Sequence, residues 1–420
     1  MAGLREPGFG ERDDGRTMGD GALDGIVVLD LTQGVAGPYA TKYYSDYGAT
    51  VIKVERPGEG DPARRLGPFV GDVPSLEASG MFLHLNTGKQ SVTLNLKTES
   101  GRRILRRLAA QADIVFENFR PGTLARLGLG SDALREVNPR AALVQISNFG
   151  QTGPYRDFAA DDLLAYAMGG VLQVTGEAGR APVKLGLYTP LFIAGVVAVA
   201  LSLGAYLGSR RDGVGERVDF SITEMLAASM DRGAPNLVAY QYSGELQTKR
   251  ESIGRMNALP NGIYPCADGY VHINAQVAWW PRMCRAIGRT ELIDDPEYTS
   301  RLTDLEAVPD FDALIYPWLL ERTKQDIMEA AQLVGLPISA LNTMEDVFRD
   351  PHLRAREFFQ AIDHPVAGLL EYAGPPFRML GTPAEVRRAP LLGEHTSQVL
   401  RERLGYTREQ VVRLRQTNVI

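Results

Sequence analysis

The sequence has few of the residues that build disulfide frameworks and metal sites. Its 420 residues include only two cysteines, Cys266 and Cys284, and five histidines that are scattered along the chain. Neither residue type shows the short spacings that are typical of metal ligands. The composition therefore predicts a protein of a reducing compartment, the cytoplasm, with no metal site.

The sequence also lacks a surplus of positive charge. The 45 Lys and Arg residues are outnumbered by 51 Asp and Glu residues, which gives a net charge of −6 at pH 7. Because binding to a nucleic-acid backbone needs a surplus of cations, we expect no nucleic-acid partner. Residues 1–21 lack the apolar segment of a signal peptide and the arginine-rich and serine-rich pattern of a transit peptide. We interpret them as a disordered extension.

Long apolar runs are absent except in one place. Residues 187–207 contain no charge and are numerous enough to span a bilayer. The run contains small residues such as Gly195 and Ala198, and it lies between segments that read as soluble β-α-β units. We therefore predict a helix buried on all sides in a large soluble domain, and no membrane span.

The first half of the sequence alternates between predicted strands and predicted helices. An apolar run at 26–31 leads into a turn with Gly34 and Gly37, a tyrosine-rich helix and a second β-branched run at 50–54. Continuous apolar strands between helices are typical of a mostly parallel sheet covered on both faces. Further strands are predicted at 91–96, 113–117, 142–147 and 216–222, and further helices at 99–112, around Leu124 and at 190–208.

The pattern changes after about residue 240. A short antiparallel hairpin is predicted around the Ala267-Asp268-Gly269 turn, followed by helices at 310–320, 324–334 and 397–414. The fold class is therefore α/β, with a large Rossmann-like domain and a smaller α+β domain. The predicted divisions are an extension (1–21), the large domain (22–240), the small domain (241–330), and a linker with a C-terminal segment that returns to the large domain (331–420).

The turn after the first strand is a candidate anion site, because backbone N–H groups at a helix start bind phosphates. One alternative is a dinucleotide, since Glu55 lies about 20 residues past the glycines, where a ribose-binding acid is found. The turn lacks the third glycine of that motif, however. The other alternative is a larger phosphate-bearing ligand, because Arg56, Lys97 and Arg120 follow successive strands whose carboxyl ends meet at one edge. Lys and Arg residues that lie in the first turns of helices and simply face solvent would produce the same sequence pattern.

Several segments stand in a characteristic order from about Leu23 to the C-terminus. They are LDLTQGVAGPYAT, ATVIKVERPGEGD, NTGKQSVTLNLKTESGRR, ENFRPGTLARLGL, GQTGPYRDFAADDLLAYAMGG and LLGEHTSQVL. Together they resemble the class III CoA-transferases (CaiB/BaiF type), the family of formyl-CoA transferase, carnitine CoA-transferase, benzylsuccinate CoA-transferase and α-methylacyl-CoA racemase. The resemblance implies two interlocked protomers, CoA or acyl-CoA and a carboxylic acid as substrates, and no permanently bound cofactor.

The resemblance also implies a set of CoA contacts. Guanidinium groups suit the 3′-phosphate and the diphosphate, and Phe119 suits packing on adenine. Arg120 joins the set because of its place after a predicted strand. The implied positions are Val35, Ala36, Arg56, Leu94, Asn95, Leu96, Lys97, Asn118, Phe119, Arg120 and Arg126.

The nucleophile is where the resemblance fails. A class III transferase attacks the thioester with an aspartate, forms a mixed anhydride, and then carries CoA as an aspartyl thioester. Counting between Gly169-Gly170 and the long apolar helix places Gly186 at that position. The acid and base positions of the racemase branch read Asp161, Gly186 and Pro265, so that pair is also missing.

Asp161 and Asp162 are the remaining catalytic candidates, because adjacent carboxylates can perturb each other's pKa. In the alternative interpretation, Asp162 caps the following helix and Asp161 faces solvent. Three functions stay open. The first is the subunit of a CoA-transferase (EC 2.8.3 type) that lacks the nucleophile and works in a hetero-oligomer with a catalytic paralogue. The second is an active homodimeric transferase or isomerase that uses another carboxylate, and the third is a non-catalytic CoA-binding protein.

Overall fold

A computed structural model describes residues 21–176, 179–229, 234–245 and 257–420. Apart from Gly21, the predicted disordered extension lies outside the described residues. The chain divides into two units by its internal contacts. The first unit comprises the described residues up to Val171 together with Lys184–Val238 and Glu357–Ile420, and the second comprises Leu172–Val183 and Ala239–Arg356.

The secondary structure alternates as the sequence predicts. The strands are β1 (Val27–Asp30), β2 (Thr50–Glu55), β3 (Gln90–Thr93), β4 (Ile114–Glu117), β5 (Ala142–Ser147), β6 (Arg217–Ser221), β7 (Asn261–Cys266), β8 (Gly269–Asn274), β9 (Ile338–Ala340), β10 (Phe359–His364) and β11 (Gly368–Ala373). The α-helices are α1 (Ala36–Asp46), α2 (Gly80–Leu85), α3 (Glu99–Ala109), α4 (Thr123–Arg126), α5 (Ser131–Val137), α6 (Asp162–Met168), α7 (Thr189–Asp212), α8 (Ile222–Ser229), α9 (Ala234–Ser243), α10 (Trp280–Ala286), α11 (Pro296–Thr299), α12 (Val308–Leu320), α13 (Lys324–Leu333), α14 (Met344–Arg349), α15 (Pro351–Ala355), α16 (Thr396–Leu404) and α17 (Arg408–Gln416). Short 3-10 helices occur at Pro62–Arg65, Val70–Asp72, Leu172–Val174, Val277–Trp279, Thr290–Leu292 and Leu305–Ala307.

A six-stranded sheet organises the first unit, in the order β3-β2-β1-β4-β5-β6. All its neighbouring strands are parallel. This is the order of doubly wound folds, in which the chain reverses its winding direction between β1 and β4 and ligands bind at the carboxyl ends of the strands there. The predicted α/β class with a parallel sheet is confirmed.

The C-terminal segment belongs to the first unit and packs on the sheet. Its residues Val399, Leu400 and Val411 share one buried cluster with residues of β1 to β4 and α3. The single helix predicted at 397–414 is wrong, because α16 ends at Leu404, the following Gly405 closes it with a positive φ of 71°, and α17 begins three residues after this glycine.

The long apolar helix α7 is present but is buried along one face only. A Cβ on Gly195 would lie 2.8 Å from the carbonyl oxygen of Ala36, so this glycine permits close packing on α1. The hydroxyls of Tyr44 and Ser202 lie 2.7 Å apart at the same interface. Only 28% of the most apolar window of α7 is buried, so the prediction of burial on all sides is wrong for the single chain. By length and composition α7 could cross a membrane, but one such helix is weak evidence for a span because core helices share these properties.

The second unit has its own antiparallel sheet, β7-β8-β9, and its own core. The predicted hairpin around residues 267–268 is β7-β8. Trp280 and Phe311 pack edge to face inside the core, with ring centroids 5.3 Å apart. Because β9 pairs with β8, this unit continues past residue 330 and ends at Arg356.

Candidate functional site

A cavity of about 590 Å³ lies in the first unit at the carboxyl ends of β1, β4 and β5. The start of α7 forms a further wall. Its position is the crevice that doubly wound sheets use for ligands. The lining residues fall in the segments 33–36, 118–121, 146–149, 156, 158–162 and 164, with Leu66, Tyr188, Leu191 and Ile222.

The turn between β1 and α1 is held by side chains from elsewhere in the chain. The N–H of Gln33 donates to Oδ1 of Asn118 (2.8 Å), and Nδ2 of Asn118 donates to the carbonyl of Gln33 (2.7 Å). The N–H of Gly34 donates to Oδ1 of Asp61 (2.9 Å). The N–H groups of Gln33 and Gly34 are therefore not available to an anion. Val35 and Ala36 line the cavity, and their N–H groups have no acceptor within the described ranges.

Beneath the turn lies a buried group of four charged residues, which we call the charged floor: Asp30, Lys53, Asp61 and Lys89. Nζ of Lys53 lies 2.7 Å from Asp61 and 3.9 Å from Asp30, and Nζ of Lys89 lies 3.1 Å from Asp30. Burial by itself raises the pKa of Asp30, but the two lysines and hydrogen bonds from hydroxyl groups outweigh it, so that pKa falls below its ordinary range. Burial lowers the pKa of Lys89 to about 8. The charged floor thus holds in place the carboxylate of Asp61, which accepts the hydrogen bond from the N–H of Gly34.

Sequence reasoning missed the charged floor, although a signal was present. Asp30 and Lys53 occur in strands that are rich in buried apolar residues, and they are direct register partners across β1 and β2. An unpaired charge in such a strand would be costly to bury. Opposite charges in two adjacent apolar strands therefore predict a buried ion pair.

Glu55, the proposed ribose-binding acid, is engaged elsewhere. Its two carboxylate oxygens accept from Nε and Nη2 of Arg64 at 2.7 and 2.9 Å, and both side chains are buried. The guanidinium also lies 3.6 Å from the ring centroid of Phe82. With its acid committed to a structural ion pair, the dinucleotide alternative has no support from the geometry.

The structure brings together some of the implied CoA positions and separates others. Val35, Ala36, Asn118, Phe119 and Arg120 line the cavity, as do Asp161 and Asp162. The positions outside the lining are Arg56, Leu94, Asn95, Leu96, Lys97 and Arg126.

Most of these outer positions have other contacts. Arg56 is 58% exposed and pairs with Glu59 at 2.9 Å. Leu94 follows β3 directly and is buried in the core, and Asn95 is bonded to the C-terminal residues 418 and 419. Lys97 is exposed.

Asp161 is exposed, as the alternative interpretation expects, but the capping role falls to Asp161 and not to Asp162. Asp161 has extended backbone angles and is the N-cap of α6, since its Oδ1 accepts from the N–H of Leu164 at 3.0 Å. Asp162 lies in the first turn and forms an ion pair with Lys184 at 2.5 Å. The interpretation that Asp162 caps the helix is therefore wrong. Both carboxylates facing the cavity are already occupied by partners.

The segment before α7 carries the position implied for the nucleophile. Gly186 is not among the lining residues, and a Cβ built on it would meet nothing within 4 Å. Leu187 has a positive φ of 49°, and Lys184 donates to its carbonyl. Tyr188 and Leu191, at the start of α7, do line the cavity.

Ser147, at the carboxyl end of β5, is a polar lining residue that sequence reasoning missed. Its hydroxyl is buried and has no hydrogen-bond partner among the described residues. It is therefore available to a polar group of a ligand. No group of three or more His, Cys, Asp or Glu that could hold a metal ion occurs in the part of the chain that the structure describes.

Comparison with known proteins decides the family. The profile of CoA-transferase family III matches residues 23–396. The chain belongs to CoA-transferase family III. The resemblance read from the ordered segments is thereby confirmed, and homologues in this family transfer CoA between acyl-CoA thioesters and carboxylic acids.

Individual relatives of this family III chain align over nearly all of its length. It is 34% identical to succinyl-CoA–D-citramalate CoA-transferase of Chloroflexus aurantiacus, with 95% of this chain and 98% of the relative covered. It is 33% identical to the beta subunit of succinyl-CoA–L-malate CoA-transferase of the same organism, with 95% and 98% covered. A crystal structure of a CaiB/BaiF family protein from Brucella suis matches with a TM-score of 0.81 at 31% identity, covering 91% of this chain and 100% of that one.

Proposed function

We propose that this chain is the CoA-binding subunit of a family III CoA-transferase that lacks its own nucleophile and works with a homologous catalytic subunit. One observation carries the proposal: the wall of the cavity at the start of α7 presents Tyr188 and Leu191 and no carboxylate. The substrates are an acyl-CoA and a carboxylic acid, and the compartment is the cytoplasm.

CoA binding is supported by the position and composition of the cavity. The cavity lies at the winding reversal of the sheet, where phosphate-bearing ligands bind in folds of this order. Arg120 supplies positive charge, and Phe119 and Phe149 supply aromatic surface. A ligand with a diphosphate and an aromatic base matches this combination.

We place the vacant nucleophile position at Leu191 rather than at Gly186. A nucleophile must reach the thioester carbonyl, so its side chain must face the cavity. Leu191 meets this condition, and Gly186 lies outside the lining. An isobutyl group has no electron pair with which to attack a carbonyl, so the first step of transfer fails on this chain.

A homologous partner is supported by two observations. One relative is named as a beta subunit, so multi-subunit forms occur among similar chains. Helix α7 also exposes apolar side chains, among them Val196 and Leu207. An apolar helix face of this kind marks a protein interface more often than a solvated surface. We propose that the face packs against the partner subunit in an interlocked dimer.

The test of the proposal is a pair of assays on purified protein. The chain alone should bind CoA in calorimetry and show no CoA transfer from succinyl-CoA to any of a panel of carboxylic acids. Co-expression with a paralogue that carries the aspartate should yield an active complex in size-exclusion chromatography. Robust transfer by the chain alone would overturn the proposal, and CoA binding without activity in any complex would favour a non-catalytic CoA-binding protein.

A gain-of-function variant tests the position of the missing nucleophile. Leu191→Asp should allow a covalent CoA adduct that mass spectrometry detects after incubation with succinyl-CoA. Gly186→Asp is the matched control, because it adds the same carboxylate outside the cavity lining. An adduct on the Gly186→Asp variant and none on Leu191→Asp would show that the spacing argument, and not the cavity, locates the position.

The second candidate function is an active homodimer that uses Asp161 or Asp162. It is favoured by the fact that both carboxylates line the cavity. Trapping with borohydride or hydroxylamine during turnover would mark the aspartate that carries the acyl or CoA group. Loss of turnover in Asp162→Asn but not in Asp161→Asn would assign the role to Asp162.

A further inference from the structure

Two guanidinium groups converge beside Gly122 at the rim of the cavity. Nη1 of Arg126 and Nη2 of Arg156 each lie 3.4 Å from the point where a Cβ on Gly122 would stand. Gly122 has a positive φ of 78° and no side chain, so it leaves that point open. The two cations, which are 30 positions apart in sequence, therefore face the same small volume.

The pair is poorly compensated by acids. Nη2 of Arg126 donates to the hydroxyl of Thr123 at 2.9 Å, and no carboxylate lies within 4.0 Å of its guanidinium in the described ranges. Among the residues that the structure describes, Arg156 has one ion-pair partner, its neighbour Asp157 at 3.7 Å, and its side chain is 42% exposed. Like charges held this close repel each other until an anion lies between them. Planar guanidinium forks match the oxygens of a phosphate.

The position of Arg156 connects the pair to the cavity. Arg156 and Pro121 both belong to the lining, and Pro121 directly precedes Gly122. The rings of Tyr155 and Phe158, on either side of Arg156 in sequence, contact each other at a tilt of 37° with centroids 4.9 Å apart. The side chain of Arg156 thus stands where the cavity meets the second cation.

We propose that Arg156 and Arg126 form a guanidinium pair that binds one phosphate group of CoA. The inference rests on the proposed function, since it assumes that CoA occupies the cavity. Arg156 is not among the positions implied by the family resemblance, and its role follows from its distance to Gly122 and its place in the lining. It is a binding residue for the substrate and takes no part in bond making.

The experiment measures CoA dissociation constants by calorimetry for the wild type, Arg156→Ala, Arg126→Ala and the double variant. Each single variant should weaken CoA binding about tenfold, in line with a charge-assisted hydrogen bond to a phosphate. The double variant should lose less than the product of the two single losses, because both side chains hold one phosphate. Arg140→Ala is the matched control, since Arg140 is an exposed arginine before β5, at the opposite edge of the sheet.

Dephospho-CoA, which lacks the 3′-phosphate, tells which phosphate is bound. If Arg156→Ala weakens CoA binding but not dephospho-CoA binding, the pair holds the 3′-phosphate; if it weakens both, the pair holds the diphosphate. Either result supports the pair. A wild type that binds CoA together with an Arg156→Ala variant that binds it equally well overturns this inference alone. A wild type that does not bind CoA overturns the proposed function as well.

Discussion

The charged floor and the rim of the cavity use the same residue types in opposite ways. In the floor, Lys53 and Lys89 are fully buried and each lies within 4 Å of a carboxylate. At the rim, which comprises Arg120, Arg126 and Arg156, the cations are exposed and acids compensate them poorly. A buried cation needs a charged partner, whereas an exposed cation does not. The charged floor therefore stabilises the turn between β1 and α1, and the cations of the rim remain available to an anion.

The largest expected effect comes from breaking the floor. Lys53→Met should lower the free energy of unfolding by about 3–5 kcal/mol, because it leaves the buried carboxylate of Asp61 without its cation and removes one of the two cations beside Asp30. Urea denaturation followed by circular dichroism measures it. The matched rim variant, Arg120→Met, should change stability by no more than about 0.5 kcal/mol. Equal losses in the two variants would erase the distinction between floor and rim.

The second largest effect is expected from lowering the pH, which should weaken the charged floor. The pKa of Asp30 is lowered in the folded state, so the charged carboxylate stabilises the fold above its ordinary value of 3.8, and this contribution disappears as the pH falls further. The stability difference between wild type and Asp30→Asn should therefore be large at pH 7 and shrink below pH 3.8. Urea titrations at several pH values test this. A difference that stays constant across the range would mean that Asp30 is not held ionised by the lysines.

A substitution at the rim should change the affinity for CoA instead of the stability of the fold. Arg120→Ala should weaken CoA binding by about 1–3 kcal/mol if the guanidinium contacts a phosphate. The melting temperature should stay close to that of the wild type, because the side chain is exposed. Calorimetry and thermal unfolding on the same preparation give both values. Unchanged affinity would remove Arg120 from the site.

The smallest expected effect concerns Arg56, which lies outside the cavity lining and pairs with Glu59. If Arg56 turns toward CoA, Glu59 competes with the ligand for it. An exposed ion pair is worth less than about 1 kcal/mol, so Glu59→Gln should tighten CoA binding only a few-fold. Arg56→Ala should weaken CoA binding and abolish the effect of Glu59→Gln. No response to Arg56→Ala would leave Arg56 as a surface residue.

Much of the fold was predictable because its signals are local. The strand predicted at 142–147 matches β5 at both ends, and the helix predicted from 99 begins at Glu99, where Thr98 supplies the N-cap. The errors arose where a helical sequence pattern continued across a residue at which the helix ends. Residues 397–414 look helical throughout, but Gly405 adopts a left-handed conformation and divides them.

The candidate site was less predictable, because it depends on which way side chains point. Strand ends located the turn after β1 and the loop after β4, which line the cavity, but not the lining residue Ser147 at the end of β5. Counting residues along the loop before α7 led to Gly186, although Leu191 is the residue that faces the cavity. The pairing of Asp162 with Lys184 joins residues 22 positions apart, and no sequence motif indicates it.

The amino-acid sequence alone determined the family, the parallel α/β architecture and the presence of cations after the strands, because these follow from ordered motifs, local periodicity and residue type. Only the tertiary structure decided which cations are structural and which face a ligand. Burial separates them: Lys53 and Arg64 are fully enclosed and paired with carboxylates, whereas Arg126 and Arg156 meet at an open point beside Gly122. Burial and convergence depend on contacts between distant segments, which exist only after the chain has folded.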